Sequence, residues 1–183
     1  MDNEERNPTL LQADSAYTAG RLDEALRLYT EALALEPELA WAHSRVGAIL
    51  AQQGDKEGAE DALSRAIALD PNLPQAHSNL GNLYYARGDY EQAVAKYKSA
   101  IALDPSAALY HENLHAAYKK MGKLSEAVGE LKQAHRLERE GAKADVKHRF
   151  QNARKGLTRR SGCLTFVVLL IIVAVVGMVI SYV

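Results

Sequence analysis

Three evenly spaced histidines, His43, His77 and His111, are the first residues to consider as metal ligands. A zinc ion needs imidazole nitrogens at about 2 Å. Equivalent helices of stacked structural copies, in contrast, lie at least about 8–10 Å apart. Each histidine falls in a different copy of the repeat described below. The three side chains are therefore too far apart to share one ion, and we predict no metal site.

No other set of reactive residues points to catalysis. Cys163 is the single cysteine, and no phosphate-binding glycine loop, carboxylate pair or nucleophile beside a base stands out in the sequence. A lone cysteine also excludes an intramolecular disulfide framework and cysteine-rich zinc spacing. We therefore predict that the protein is not an enzyme and needs no cofactor.

An internal repeat runs through most of the chain. Pro37, Pro71 and Pro105 keep one constant interval, which is also that of the three histidines. It recurs in one set of glycines and two sets of alanines: Gly20, Gly54, Gly88, Gly122; Ala25, Ala59, Ala93, Ala127; and Ala32, Ala66, Ala100, Ala134. Features in phase at one period of this length are typical of proteins built from stacked structural repeats.

The third copy illustrates one unit of the repeat. Its first half has apolar residues at helical spacing up to Gly88, and its second half has another apolar face that ends before Pro105. Asp89 is the predicted N-cap of the second helix. Two such short helices cannot bury both apolar faces alone, whereas stacking against the next copy can. The periodic alanines, with Gly47 and Gly81, lie where larger side chains would hold the helices apart.

These features resemble the tetratricopeptide repeat (TPR), a helix–turn–helix unit with the same period. The resemblance implies an all-α, right-handed solenoid with copies at residues 6–39, 40–73, 74–107 and 108–141, and we expect residues 1–5 to be disordered. The first and last copies depart from the family pattern. Gln12 and Ala13 replace the usual Leu-Gly pair, while His115 and Arg139 occupy the small-residue and proline positions of copy four. Terminal copies are expected to differ because one face meets water or a cap.

The resemblance also implies that the first helices of the copies line a concave groove that binds a peptide. Carried over position by position, its residues include Asp14, Ser44 and Gln75, and those that we expect to bind the peptide are Tyr17, Trp41, Asn79, Asn82, Tyr85 and Asn113. Asparagine amides can hold a peptide backbone, and aromatic side chains can anchor a side chain. We interpret Asn79 and Asn82 as amides that helix packing does not need. The alternative for the aromatic residues is that they only fill gaps between helices.

Charge is divided unevenly along the chain. The formal net charge is −1, yet residues 143–160 hold seven Lys/Arg against one Asp, a local +6. The remaining 15 basic and 22 acidic residues give −7, which favours neutral or basic protein partners and not nucleic acid. Residues 142–163 are predicted to form a basic capping helix and juxtamembrane neck. Its apolar face comprises Val146, Phe150, Ala153 and Leu157, and the residues predicted to contact lipid are Arg154, Lys155, Arg159 and Arg160.

The final segment, residues 164–183, contains no charge and no proline. As a helix it would measure roughly 30 Å, the hydrocarbon thickness of a bilayer. We interpret it as a C-terminal transmembrane anchor. Arg159 and Arg160 place its flank in the cytoplasm, at a bacterial inner membrane or a eukaryotic endomembrane. Cys163, at the boundary, is a candidate for acylation in a eukaryote.

Taken together, the sequence predicts a membrane-tethered adaptor that recruits protein partners through the repeat groove. The start of the chain is acidic and polar, without a secretory signal, so we expect the repeats to face the cytoplasm. The alternative is a membrane assembly protein whose repeats and anchor mainly self-associate, as a weak homo-oligomer.

Overall fold

The computed structural model describes residues 8–147 and 149–152, and every regular element in these ranges is an α-helix. Residues 1–137 and 138–183 form two separate units. The described part of the first unit, residues 8–137, holds seven helices and the beginning of an eighth, whose residues 124–137 are here called α8. Their bounds are α1 Pro8–Thr18, α2 Leu22–Leu35, α3 Ala40–Gln53, α4 Lys56–Leu69, α5 Pro74–Arg87, α6 Tyr90–Leu103 and α7 Ala108–Lys120.

Successive helices form pairs, and the pairs stack in chain order. Helix α1 packs on α2, α3 on α4, and α5 on α6, while the second helix of each of these pairs packs on the first helix of the next. First helices of neighbouring copies also touch, α3 on α5 and α5 on α7. This arrangement confirms the predicted all-α solenoid of helical pairs.

The periodic glycines end the first helix of each copy. Gly54 and Gly88 are the C-caps of α3 and α5, with φ of 88° and 91°. Gly20 and Gly122 also have positive φ, 74° and 72°. Glycine alone adopts this left-handed conformation without steric cost, which explains why it recurs once in every copy.

The predicted N-cap position of Asp89, immediately before α6, is confirmed, but its side chain forms no capping hydrogen bond. The equivalent residue of copy two, Asp55, does accept one from the backbone N–H of Gly58 at 3.0 Å. Position alone therefore does not decide whether an aspartate caps its helix.

Small residues allow the two helices of a copy to approach closely. The alanines of both periodic sets are 0–2% exposed. A Cβ added at Gly47 would lie 2.6 Å from Leu63 Cγ, and one added at Gly81 would lie 2.6 Å from Tyr97 Cε1. These distances are too short for a real side chain, so the prediction that larger residues would hold the helices apart is confirmed.

The first and last copies differ from the others where they lack a neighbour. Gln12 is exposed, whereas Leu80 and Leu114, at the same position of copies three and four, are buried against the preceding copy. At the other end, Leu124 and Val128 of α8 are 65% and 49% exposed. The unusual Gln12 of copy one is thus explained by contact with water.

Residues 138–147 and 149–152 of the second unit are helical, including Arg139 at the proline position. Val146 and Phe150 are exposed, and the capping role of their face stays a prediction. None of the helices in the described ranges is long and apolar enough to cross a bilayer. Several predictions lie outside the described residues: those for residues 1–5, Ala153, Arg154, Lys155, Leu157, Arg159, Arg160, Cys163 and the anchor 164–183.

Replacing Gly81 with leucine should be among the most destabilising single changes in the repeats. The new side chain would overlap the Tyr97 ring in a copy enclosed on both sides, and overpacking of this kind typically lowers stability by about 1–3 kcal/mol. Chemical denaturation of residues 1–157, followed by circular dichroism, measures the change in the free energy of unfolding.

The matched control is Gly129→Ala. Gly129 is exposed on α8, and a Cβ added there would have no described atom within 4 Å. Alanine should stabilise this helix by up to about 1 kcal/mol. An unchanged unfolding midpoint for Gly81→Leu would contradict the packing described above.

Candidate functional site

The first helices α1, α3, α5 and α7 present one continuous surface, here called the groove face. Two side-chain hydrogen bonds join neighbouring copies along it. The Asn79 side-chain N–H donates to Ser44 Oγ at 3.4 Å, and Asn113 donates to Ser78 Oγ at 3.3 Å. Ser44 and Ser78 are buried, so each bond satisfies a serine hydroxyl enclosed between helices. These two asparagines therefore have a structural role in stacking the copies.

A second polar contact ties the two helices of copies one and three together. The Tyr29 hydroxyl donates to Asp14 Oδ1 at 2.5 Å, and the Tyr97 hydroxyl donates to Asn82 Oδ1 at 2.8 Å. Burial raises the pKa of both tyrosines, and Asp14 raises that of Tyr29 further. Both hydroxyls therefore stay protonated and remain donors.

The same two positions carry no polar atoms in copies two and four. There Leu63 and Leu131 replace the tyrosine, and Ala48 and Ala116 replace its acceptor. Tyrosine and a polar partner thus occur together or not at all. The interpretation of Asn79 and Asn82 as amides that packing does not need is wrong, because both form hydrogen bonds within the fold.

The aromatic residues predicted for the groove are half-buried and already have ring contacts. Trp41 meets Tyr29 edge to face, with ring centroids 6.0 Å apart, and the Arg45 guanidinium lies 4.9 Å from the Tyr17 ring centroid. The rings of Tyr85 and Tyr90 also pack edge to face, with their centroids 5.4 Å apart. Each ring is held by a neighbour and still exposes part of its surface.

One cavity of about 250 Å³ opens on the groove face between copies one, two and three. It brings together Trp41 and Asn79 from the residues predicted to bind the peptide, and Asp14, Ser44 and Gln75, which were also expected on this side. The other lining residues are Arg45 and Leu73. Pockets for whole small molecules usually measure about 300–1,000 Å³. This cavity suits one side chain of a longer ligand.

The remaining predicted residues, Tyr17, Asn82, Tyr85 and Asn113, do not line this cavity. Leu73 was not predicted, because it lies in the linker between α4 and α5 and no helical pattern places it. Its position before Pro74 at the start of α5 was the only available signal.

Each of the three periodic histidines forms a hydrogen bond with a different residue. His43 Nε2 donates to the carbonyl oxygen of Pro37, and His77 Nε2 to that of Pro71, both at 2.9 Å. His111 instead donates from Nδ1 to Glu130 Oε2 at 2.7 Å. In copies two and three the histidine is therefore bonded to the turn that contains the proline, whereas in copy four it joins α7 to α8. Within the described ranges, no three His, Cys, Asp or Glu residues are grouped to hold a metal ion.

Comparison with known proteins identifies one family. The sequence profile of the TPR repeat matches residues 13–54, 47–86 and 81–122, together more than half of the chain. A comparison with curated proteins finds no match.

Many solved structures share the fold. A crystal structure of MamA is 27% identical, with a TM-score of 0.66 over 74% of this chain and 79% of MamA. MamA from Desulfovibrio magneticus RS-1, from residue 41 to its end, is 23% identical, with a TM-score of 0.64 over 73% of this chain and 75% of that one, and shows the fold alone. An O-GlcNAc transferase from Thermobaculum terrenum is 29% identical, with a TM-score of 0.58 over 60% of this chain but 21% of the transferase.

The bond between Tyr97 and Asn82 can be measured with a double-mutant cycle. Asn82→Ala should lower the free energy of unfolding by about 0.5–1.5 kcal/mol, because the Tyr97 hydroxyl loses its acceptor. In a Tyr97→Phe background the same substitution should have almost no effect. Denaturant unfolding of the four proteins gives the coupling energy. Equal effects of Asn82→Ala in both backgrounds would show that the bond does not contribute to stability.

Proposed function

Because this chain belongs to the TPR repeat family, we propose that it is an adaptor that binds a peptide segment of a partner protein. The binding site is the groove face, which we take to be the concave side of the solenoid. No catalytic role is part of the proposal. The observation that carries it is the cavity between copies one, two and three, since it offers an apolar surface beside polar groups.

The contacts of the cavity residues specify the ligand. Asp14 accepts the Tyr29 hydroxyl and Arg45 lies over Tyr17, so both charges are already engaged within the fold. Trp41 and Leu73 supply apolar surface for one side chain of the peptide. The side-chain amide of Gln75 and the side-chain carbonyl oxygen of Asn79 can then form hydrogen bonds with the peptide backbone. A neutral apolar side chain fits this set better than a charged one.

The overall charge of the repeats acts on the rest of the segment. The four copies, residues 6–141, contain 19 acidic and 15 basic residues, which gives a net charge of −4. Such a field attracts basic segments and repels acidic ones at low ionic strength. The proposed ligand is therefore an extended segment with an apolar anchor residue and neutral or basic flanks.

We further propose that residues 164–183 tether the repeats to a membrane. An uncharged segment of this length matches the thickness of a bilayer, and Arg159 and Arg160 suit the cytoplasmic side. The tether would concentrate the bound partner at the membrane surface. This part of the proposal rests on the sequence alone.

Self-association is the second candidate function, and one observation favours it. Leu124 and Val128 form an exposed apolar face on α8 at the end of the first unit. A second copy of the chain could cover that face and build a scaffold. Light scattering on residues 1–157 separates the two candidates. A monomer at micromolar concentration supports the adaptor. A concentration-dependent oligomer supports the scaffold, provided that the combined substitutions Leu124→Ser and Val128→Ser restore the monomer.

Binding should depend on the cavity. We expect Trp41→Ala to weaken the affinity for a selected peptide by about 2 kcal/mol or more, because a half-buried aromatic anchor is lost. Gln75→Ala should weaken it by about 1 kcal/mol. Peptides are selected by display on the immobilised repeats, and affinity is measured by calorimetry.

The control for Gln75→Ala is Gln92→Ala, an exposed glutamine on the second helix α6. It should leave the affinity unchanged, and circular dichroism should show equal helix content in every variant. Wild-type affinity for Trp41→Ala and Gln75→Ala together would place the binding site elsewhere on the protein.

Removing residues 164–183 should convert a membrane-bound protein into one that remains in the supernatant. The repeats contain their own core, so their melting curve should not change. Cell fractionation followed by high-salt washing measures the partition. A truncated chain that still pellets with membranes in high salt would show that this segment is not the main anchor.

A further inference from the structure

The helical residues 142–147 and 149–152 carry an apolar stripe that nothing in the described structure covers. Val146 and Phe150 are 66% and 71% exposed, and they lie one helical turn apart, on one face with Ala142. A shallow depression of about 480 Å³ follows this face. It is lined by Ala142, Lys143, Val146, Lys147 and Phe150. Two large apolar side chains exposed side by side usually mark a contact surface.

Basic residues border the stripe on both edges. Lys143 and Lys147 lie along one edge, and Arg149 lies on the other. The single acidic residue of this helical stretch, Asp145, is paired with Arg149 at 2.9 Å and lies further from the stripe. Lysine and arginine can place their aliphatic stems beside apolar surface while their charges reach water or phosphate. The pattern is that of an amphipathic helix whose apolar stripe is bordered by solvated basic residues.

We propose that residues 142–152 lie in the interface of an anionic bilayer, with Val146 and Phe150 turned towards the acyl chains. Lys143, Lys147 and Arg149 then meet the phosphate groups of the lipids. Helices with such a divided surface lie in the plane of the interface at the boundary of headgroups and acyl chains. Anionic lipid is the occupant because it matches both parts of the surface, the apolar stripe and the positive rim.

The position of the helix in the chain supports this occupant, and here the inference rests on the proposed membrane tether. Only residues 153–163 separate it from the segment 164–183. Fully extended, they reach at most roughly 40 Å. They include Arg154, Lys155, Arg159 and Arg160, so the positive charge continues up to the proposed span. The helix is therefore held within reach of the same bilayer surface.

The test is a depth measurement on the full chain in lipid vesicles. Single cysteines replace Val146, Phe150, Ala144 and Gln151 in turn, in a Cys163→Ser background, and each carries a nitroxide label. Ala144 and Gln151 serve as matched controls, because they lie on the opposite side of the same helix. Electron paramagnetic resonance then compares collisions of the label with oxygen, which enters the bilayer, and with a nickel chelate, which stays in water.

In vesicles of phosphatidylcholine with phosphatidylglycerol, the ratio of oxygen to nickel collisions should be several-fold higher at positions 146 and 150 than at 144 and 151. The contrast should disappear when Lys143→Glu and Lys147→Glu are combined. It should also be smaller in vesicles of phosphatidylcholine alone.

Three results would overturn the proposal. If the chain floats with the vesicles but labels 146 and 150 collide with nickel as often as the controls do, the interfacial helix is wrong while the tether stands. If these labels are shielded from both reagents, the stripe is packed against protein, either the repeats or a partner. A chain that does not float with either vesicle contradicts both the tether and this inference.

Discussion

The close approach of the two helices within each copy is the constraint on which the rest of the structure depends. Gly47 and Gly81 leave no room for a Cβ against Leu63 and Tyr97, and the periodic alanines are buried at the same packing level. A helix pair packed this closely buries one apolar face of each helix within the copy. A second apolar face of the pair remains and can be buried only against the next copy. Stacking then follows, because the second face has no other way to leave water. The groove face exists because equivalent first helices are brought side by side.

Polar side chains on the groove face serve the fold before they serve a ligand. Asn79 and Asn113 each satisfy a buried serine of the preceding copy, and Asn82 accepts a buried tyrosine hydroxyl. Unsatisfied polar groups in such positions would lower stability, so these bonds keep the copies in register. A ligand would therefore meet side chains that are already oriented. This preorganisation reduces the entropy that binding would otherwise lose.

The uneven charge distribution gives the two ends of the chain different affinities. The copies at residues 6–39 and 40–73 contain more acidic than basic residues, whereas residues 143–160 carry +6. An anionic membrane attracts residues 143–160 and repels the first two copies, and both effects act within about one Debye length of the surface. In our proposals the basic helix and the span hold the lipid, while the cavity between copies one, two and three stays available to a protein partner.

The sequence by itself determined the period, the all-α class, the helix ends and the small residues at the helix crossings. These features depend on local conformation or on volume at a repeated position. A positive φ selects glycine at Gly54 and Gly88. Pro37, Pro71 and Pro105 each follow the end of a second helix, which proline cannot continue. Only the tertiary structure decided which polar groups meet. Asn79 finds Ser44 in another copy, and His111 bonds Glu130 while His43 and His77 bond a proline carbonyl. A hydrogen bond needs two groups within about 3 Å and correctly aimed. That condition depends on how neighbouring helices are placed, which no pattern along one chain segment contains.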